Sequence, residues 1–278
     1  MRNLNLFSHF TSLFLPWHRA FVMVMEQELQ KIDPSVCVPY WDHSREANNP
    51  WASKVWDIIG GDGYGGCIRD GPFKDIRVNG QCIRRRFQRT AFVHIKTVDA
   101  MITNYWEFQQ FSTNFEVYPH ATPHARIGGN MDGPRSPADP VFWFHHSWVD
   151  KKFLMFQKQH PNAQYSGARA NMNAKMMYVN VSPMDIVNAD KLCFVYDKIT
   201  GGENTTVTDP GSLDDWFKKM NVSKSKQSNF EKEFEKLKSN SLLSGVVPDE
   251  PLELGSTGYI IVYSPFIVMI ALVNQFFL

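Results

Sequence analysis

Between Leu15 and Ile32 the apolar residues Phe21, Val22, Met25, Leu29 and Ile32 return at steps of three and four, the spacing of one face of a helix. Pro16 stands where a first helical residue tolerates proline, and Asp33-Pro34 predicts the end of the helix. A second run with helical character extends from about Ala91 to Phe108. A third opens at Ser136-Pro-Ala-Asp-Pro140, where Asp139 suits the N-cap and Pro140 the first helical position ahead of VFWFHHSWVDKKFLMFQ. Between the first two lie the aromatic stretch PYWDHSREANNPW and a Gly-rich loop to about Gly80. Beyond Pro161 the pattern changes. LCFVYD and TTVTD predict short strands, and the lysine- and glutamate-rich stretch 218–238, with Phe230, Phe234 and Leu237 on one face, predicts a solvated surface helix. No internal repeat is visible.

The final segment, Tyr259 to Leu278, is mostly Ile, Val, Phe and Leu, and no charged residue follows Glu253. Its length can cross a bilayer. Three readings fit it: a membrane span, the removable tail of a GPI signal, or a buried strand pair turning at Ser264-Pro265. Three acceptor sequons, at Asn180, Asn204 and Asn221, point the same way as either anchor, toward the secretory route and a secreted or membrane-anchored protein. The opening residues do not read as a signal peptide.

Composition narrows the function classes. The 278 residues are 43% hydrophobic and 21% charged, an ordinary globular balance. A net charge of +1 offers no field for a nucleic-acid backbone, so a nucleic-acid partner is not expected. Of four cysteines, Cys67 and Cys82 are the expected disulfide, closing the Gly-rich loop at a gain of about 3 kcal/mol. The alternative is four reduced thiols, with Cys37 packed as a small hydrophobe. No CxxC pair supports a cysteine zinc site.

The nine histidines all lie between His9 and His160. His120 and His124 are four apart in YPHATPHARIGG, so on a helix starting near Pro119 both imidazoles share one face and can hold one metal ion. A zinc protease needs glutamate directly after the first histidine, and Ala121 stands there. In FWFHHSWVD the adjacent His145 and His146 point about 100° apart. Only one can face the same metal, and His146, one turn before Asp150, is the better choice. Three neutral imidazoles suit copper or zinc. His9 and His18 are separated by Pro16, so His9 can arrive from a preceding element and meet His18, which is in phase with the core residues Val22, Met25 and Leu29.

FLPWHRAF, PYWD, PHATPH, IGGNMDG and SPADPVFWFHHSWVD, in that order, resemble the central domain of the tyrosinase family, the dicopper proteins that include catechol oxidases and hemocyanin units. The GCIRDGPF loop is most similar to invertebrate members. The resemblance covers roughly residues 7–160. It implies a mainly α fold: a four-helix bundle with a dinuclear copper site, long loops, and here a small irregular or β C-terminal region. The division expected is a copper-binding domain over 1–160, an extension over 161–258 and the hydrophobic tail over 259–278.

By that resemblance, His9 and His18 are ligands of the first copper ion, and His120, His124 and His146 hold the second. A sixth ligand is expected upstream of His9, beyond the eight residues present there. The chain therefore reads as one whose start is missing and which binds the first copper poorly by itself. His43, His94 and His160 match no ligand position. Arg19, His145 and Asp150 are expected to support the ligands, Arg19 and Asp150 as an ion pair locking two helix ends across the bundle. Met131 is expected above the second copper, shaping the substrate entrance with Ala121, which stands where tyrosinases often have asparagine and so favours diphenols. The activity implied is oxidation of phenols or catechols to o-quinones by dioxygen with two copper ions. The alternatives are a hemocyanin-type oxygen carrier and a non-catalytic paralogue.

Overall fold

The computed structural model describes residues 8–192 and 194–196, together with the backbone of two short strands further on. Helix α1 spans Phe14–Gln30. Pro16 falls within its first turn, where a missing N–H costs nothing. Thirteen of its seventeen residues are buried, so α1 is the central helix of the core, covered on nearly every face. After the short helix α2 (Val55–Ile59) comes a small hairpin of β1 (Arg77–Val78) and β2 (Gln81–Cys82), paired antiparallel. The expected disulfide is present: Cys67 is bonded to Cys82 with Cα atoms 5.6 Å apart. Cys37 is exposed, contrary to the packed position considered for it.

The run expected over 91–108 holds one helix, shorter than the run, and a second begins at its last residue. Helix α3 (Ile95–Asn104) is capped by His94, whose Nδ1 accepts from the Lys96 N–H, and α4 (Phe108–Phe115) follows. The chain then makes a π-helical turn, Glu116–His120, and continues as α5 (Ala121–Ile127). The helix carrying His120 and His124 thus begins at Phe108, well before the expected start near Pro119. Pro119 lacks the N–H that a regular helix needs. The wider turn accommodates it, with the Ala121 N–H bonded back to Glu116 O. Such turns recur at functional sites.

Helix α6 (Pro140–Gln159) starts as its sequence dictates: the Asp139 side chain accepts from the Val141 N–H and Pro140 is the first residue. Sixteen of its residues are buried. Helices α1 and α6 pack directly together, and two apolar clusters flank them. One joins Phe21, Trp41, Trp56, Phe142 and Trp143; the other joins Phe14, Phe111, Phe115, Trp148 and Phe153. Rings of Phe111 and Phe156 stack at 4.2 Å, tying α4 to α6.

Packing continues past position 160. Met176, Val179, Val181 and Ile186 belong to the first cluster, and the short helix α7 (Pro183–Ile186) carries a Ser182–Asp185 capping box. Leu192 and residues 194–196 of the LCFVYD segment are not a strand. Backbone pairing joins β3 (Leu252–Leu254) to β4 (Tyr259–Ile261) as an antiparallel hairpin, upstream of the turn expected at Ser264-Pro265. No helix among the described residues is long and apolar enough to cross a membrane. Stretches 205–209, 218–238 and 262–278 lie outside the described residues, as do Asn204 and Asn221. Asn180, the first sequon, is half-buried with a positive φ of 53°.

Candidate metal centre

The bundle gathers histidines from α1, the π-turn, α5 and α6 into one place. Ligand atoms of His120, His124, His145 and His146 lie within 4.8 Å of one another. His18 stacks on His146 with ring centroids 4.2 Å apart. His9 reaches His18 from outside α1, at 4.9 Å, and His120 at 5.8 Å. All five histidines singled out in the sequence therefore converge.

Backbone carbonyls set their tautomers. His18 Nδ1 is 2.8 Å from Phe14 O, His120 Nδ1 is 3.0 Å from Glu116 O, and His124 Nδ1 is 2.7 Å from Met131 O. A carbonyl only accepts, so each Nδ1 carries the proton and each Nε2 presents a bare lone pair. Such an outer partner fixes a ligating imidazole. His120 Nε2 is buried without any hydrogen-bond partner, and the Nε2 atoms of His124 and His146 face each other at 3.2 Å. Bare nitrogens of His120 and His124 directed at the place His146 Nε2 also faces fit a cation between them, and imidazole donors without carboxylate suit copper or zinc.

Burial holds these rings neutral. Desolvation keeps His18, His120, His145 and His146 well below the usual imidazole range, with repulsion from neighbouring histidines adding to it. His9 is lowered to about 4 for the same reasons. Neutral imidazole is the form a metal takes.

His145 differs from its neighbours because both of its nitrogens are engaged. Nε2 donates to His120 O at 3.1 Å, so Nδ1 is the acceptor for His43 Nε2–H, also at 3.1 Å. His43, assigned no position from the sequence, is fully buried. Its neighbour Asp42 is anchored to α6, accepting from Trp148 Nε1 at 3.0 Å and lying 3.7 Å from Lys152 Nζ. The clue in the sequence was PYWDH itself, where a histidine follows an acidic residue in an aromatic run.

Glu116 is the other residue the sequence reading passed over. Its carboxylate oxygens accept from the Phe10 N–H at 2.9 and 3.0 Å, beside His9, and burial raises it to about 7. Four residues before His120, it shares that ligand's helical side. Met131 meets the site through its carbonyl; its side chain is 1% exposed and packed in the core. Ala121 is half-buried and brings no polar side-chain atom.

Two buried arginine–aspartate pairs help to hold the frame. Arg19 Nε donates to Asp150 Oδ1 at 2.6 Å. Arg85 grips Asp139 with two bonds, Nε to Oδ2 at 2.8 Å and Nη2 to Oδ1 at 2.7 Å, fixing the Gly-rich loop to the start of α6.

Residues 2–159 match the family model for the common central domain of tyrosinase. The chain belongs to the tyrosinase family. Tyrosinase of Streptomyces glaucescens is 33% identical over 213 residues, covering 65% of this chain and 77% of that one. Tyrosinase of Streptomyces antibioticus is 35% identical over 184 residues, 56% and 67% of the two chains. A putative tyrosinase-like protein of Caenorhabditis elegans is 33% identical over 171 residues, which is 54% of this chain and 24% of that longer one. A tyrosinase-type copper oxidase follows from this kinship at the level of family, and the histidine cluster gives copper a place to bind.

Proposed function

We propose that this protein uses a pair of copper ions to oxidise phenols, catechols foremost, to o-quinones with dioxygen. Two catechols give up four electrons and four protons, and one dioxygen leaves as two waters. The observation carrying this reading is the pair of histidine sets in contact, His9 with His18 and His120 with His124 and His146, joined by the 4.2 Å stacking of His18 on His146. Copper held by these histidines would supply the redox couple and the dioxygen-binding site.

The protein's own groups do the rest. His18, His120 and His124 are held with Nδ1 protonated and Nε2 free, so they enter the site oriented for a metal. Glu116, raised to about 7, takes up the phenolic proton as substrate binds, a task suited to a base poised near neutrality. Ala121, with no polar side chain beside His120, favours the diphenol, whose oxidation needs no oxygen inserted into the ring.

The disulfide and the three sequons support passage through an oxidising, secretory compartment, with the tail beyond 261 as the anchor in the membrane-bound form. Metal analysis and oxygen-uptake assays on the protein test the catalytic proposal. Two coppers per chain with catechol-dependent oxygen consumption are expected. Reversible oxygen binding without turnover points to a carrier. One copper or none, with no turnover, points to a non-catalytic paralogue.

A further inference from the structure

The Gly-rich loop and the strand that follows it carry a charge that the chain as a whole does not. Between Gly60 and Thr90 stand seven basic residues against three acidic ones, in a protein whose net charge is +1. The run CIRRRFQR is extended and bonded on both sides. The Gly65 N–H donates to Arg85 O and the Ile68 N–H to Ile83 O on one side, and the Arg86 N–H donates to Ile127 O on the other. Side chains of an extended segment alternate between its faces. Arg85, 0% exposed, turns inward to Asp139, so Arg84 and Arg86 turn outward together, about 6.5 Å apart along the chain, and both are exposed.

Three arginines meet around Tyr64 and Gly65. Arg84 Nη2 donates to Gly65 O at 2.9 Å. The Arg86 side chain passes over Gly65, its Cδ 3.7 Å from where a Cβ would stand. The guanidinium carbon of Arg69 is 5.7 Å from the centre of the Tyr64 ring. Among the described residues none of these three pairs with a carboxylate. The loop's own acids are engaged by backbone: Asp62 Oδ1 accepts from the Tyr64 N–H at 2.9 Å and Asp70 Oδ1 from the Gly61 N–H at 2.8 Å. Tyr64 itself is 71% exposed at a φ of 53°, a conformation that bulky residues rarely adopt. The Cys67–Cys82 disulfide and the Arg85–Asp139 pair brace the loop that presents it. Backbone strain of this kind gathers where ligands are clamped.

We propose that this face binds a sulfated polysaccharide, with sulfate groups on Arg69, Arg84 and Arg86 and one sugar ring laid on Tyr64. Sulfate offers a guanidinium fork the same tetrahedral oxygens as phosphate does, and the exposed ring covers the apolar face of a sugar. A single aromatic tip is too little apolar surface to enter a lipid headgroup layer. The disulfide within the loop belongs to an oxidising compartment, where the extended polyanions are sulfated polymers and not nucleic acids. That choice of polymer rests on the secretory reading; the binding itself needs neither metal nor turnover.

The full chain is titrated by calorimetry with dextran sulfate at about 0.15 M salt, and with uncharged dextran, an oligothymidylate of equal charge and phosphatidylserine vesicles. Saturable binding of dextran sulfate with a Kd of about 10 µM or tighter is expected. The double variant Arg69→Gln, Arg86→Gln is expected to weaken it about 10-fold or more, while Arg84 still holds the loop. Tyr64→Asn keeps every charge and suits a left-handed backbone, so the fold stays; the expected loss is about 5-fold, which a purely electrostatic patch would not show. The proposal is overturned by absence of saturable dextran sulfate binding, by wild-type affinity in either variant, or by uncharged dextran, the oligothymidylate or the vesicles binding as tightly as dextran sulfate.

Discussion

Arg19 Nε reaches Asp150 Oδ1 at 2.6 Å with both side chains out of water, 0% and 5% exposed. Arg19 adjoins His18, and Asp150 stands one turn beyond His146, so the bond registers one ligand-bearing helix against the other. It joins the first third of α1 to the middle of α6, where the sequence suggested two helix ends. The same arginine donates to Val187 O at 2.8 Å, and the Tyr196 hydroxyl donates to Asp150 Oδ2 at 2.9 Å.

Removing one charge of this pair leaves the other buried and unpaired. Asp150→Asn is therefore expected to cost about 3–5 kcal/mol of stability, measured by denaturant unfolding, and to lower copper retention on dialysis through loss of register at His146. Full copper content with unchanged stability would show that the pair does not position the ligands.

His43→Phe keeps the aromatic volume but takes the donor away from His145 Nδ1. The expected cost is about 1–3 kcal/mol, and the ring of His145 is then free to turn away from His120 O. Copper at the His120, His124 and His146 set loosens, read as weaker affinity in a competitive chelator titration. Retention of wild-type affinity would mean that α6 alone fixes His145.

Acid weakens the metal-free protein through its buried imidazoles. The ordinary value is 6.5, and in the fold His9 is lowered to about 4 and His43 to about 3, both chiefly by desolvation. The unfolded chain then binds more protons between those values, so stability rises with pH across that interval and is lost as pH falls from 6.5 toward 3. Thermal unfolding of the metal-free protein from pH 7 to pH 4 is expected to show a falling Tm, and a flat profile would contradict the burial of these rings as neutral groups.

Glu116 acts in the opposite sense. Its fold value of about 7 lies above the ordinary 4.5 because of burial, so the native state holds its proton more tightly and pays for ionisation as pH rises through 7. Glu116→Gln is expected to remove this cost, which amounts to roughly 2–3 kcal/mol above pH 7. Its stability relative to wild type therefore improves between pH 5 and pH 8. In catechol turnover, the variant is expected to lose the rise in rate near pH 7. A pH–rate profile identical to wild type would remove Glu116 from the proton transfer.

Much of the architecture was legible because it rests on local rules. Helical periodicity marked α1, and Asp139-Pro140 marked the start of α6, since a cap and a first-turn proline act within a few residues. Cys67 and Cys82 flank a loop with little else to order it. Local rules misplaced the helix before His120, because Pro119 signals a start in sequence yet is absorbed by a π-turn once Phe111 and Phe115 are held against the core.

What the sequence determined by itself was therefore the residue types: five histidines spaced so that helices and one break could bring them together, and an arginine and an aspartate beside two of them. Only the tertiary structure decided which imidazole nitrogens are free. The His43–His145 and Phe10–Glu116 bonds span 102 and 106 residues, beyond the reach of any local periodicity. The Nε2 atoms of His18, His120 and His124 are bare because backbone carbonyls accept a hydrogen bond from Nδ1–H and so keep the proton there, and the packed aromatic core excludes water. Burial then keeps the clustered rings neutral, and it is that shared desolvation, a property of the assembled bundle, that turns six of the nine histidines into a place for metal.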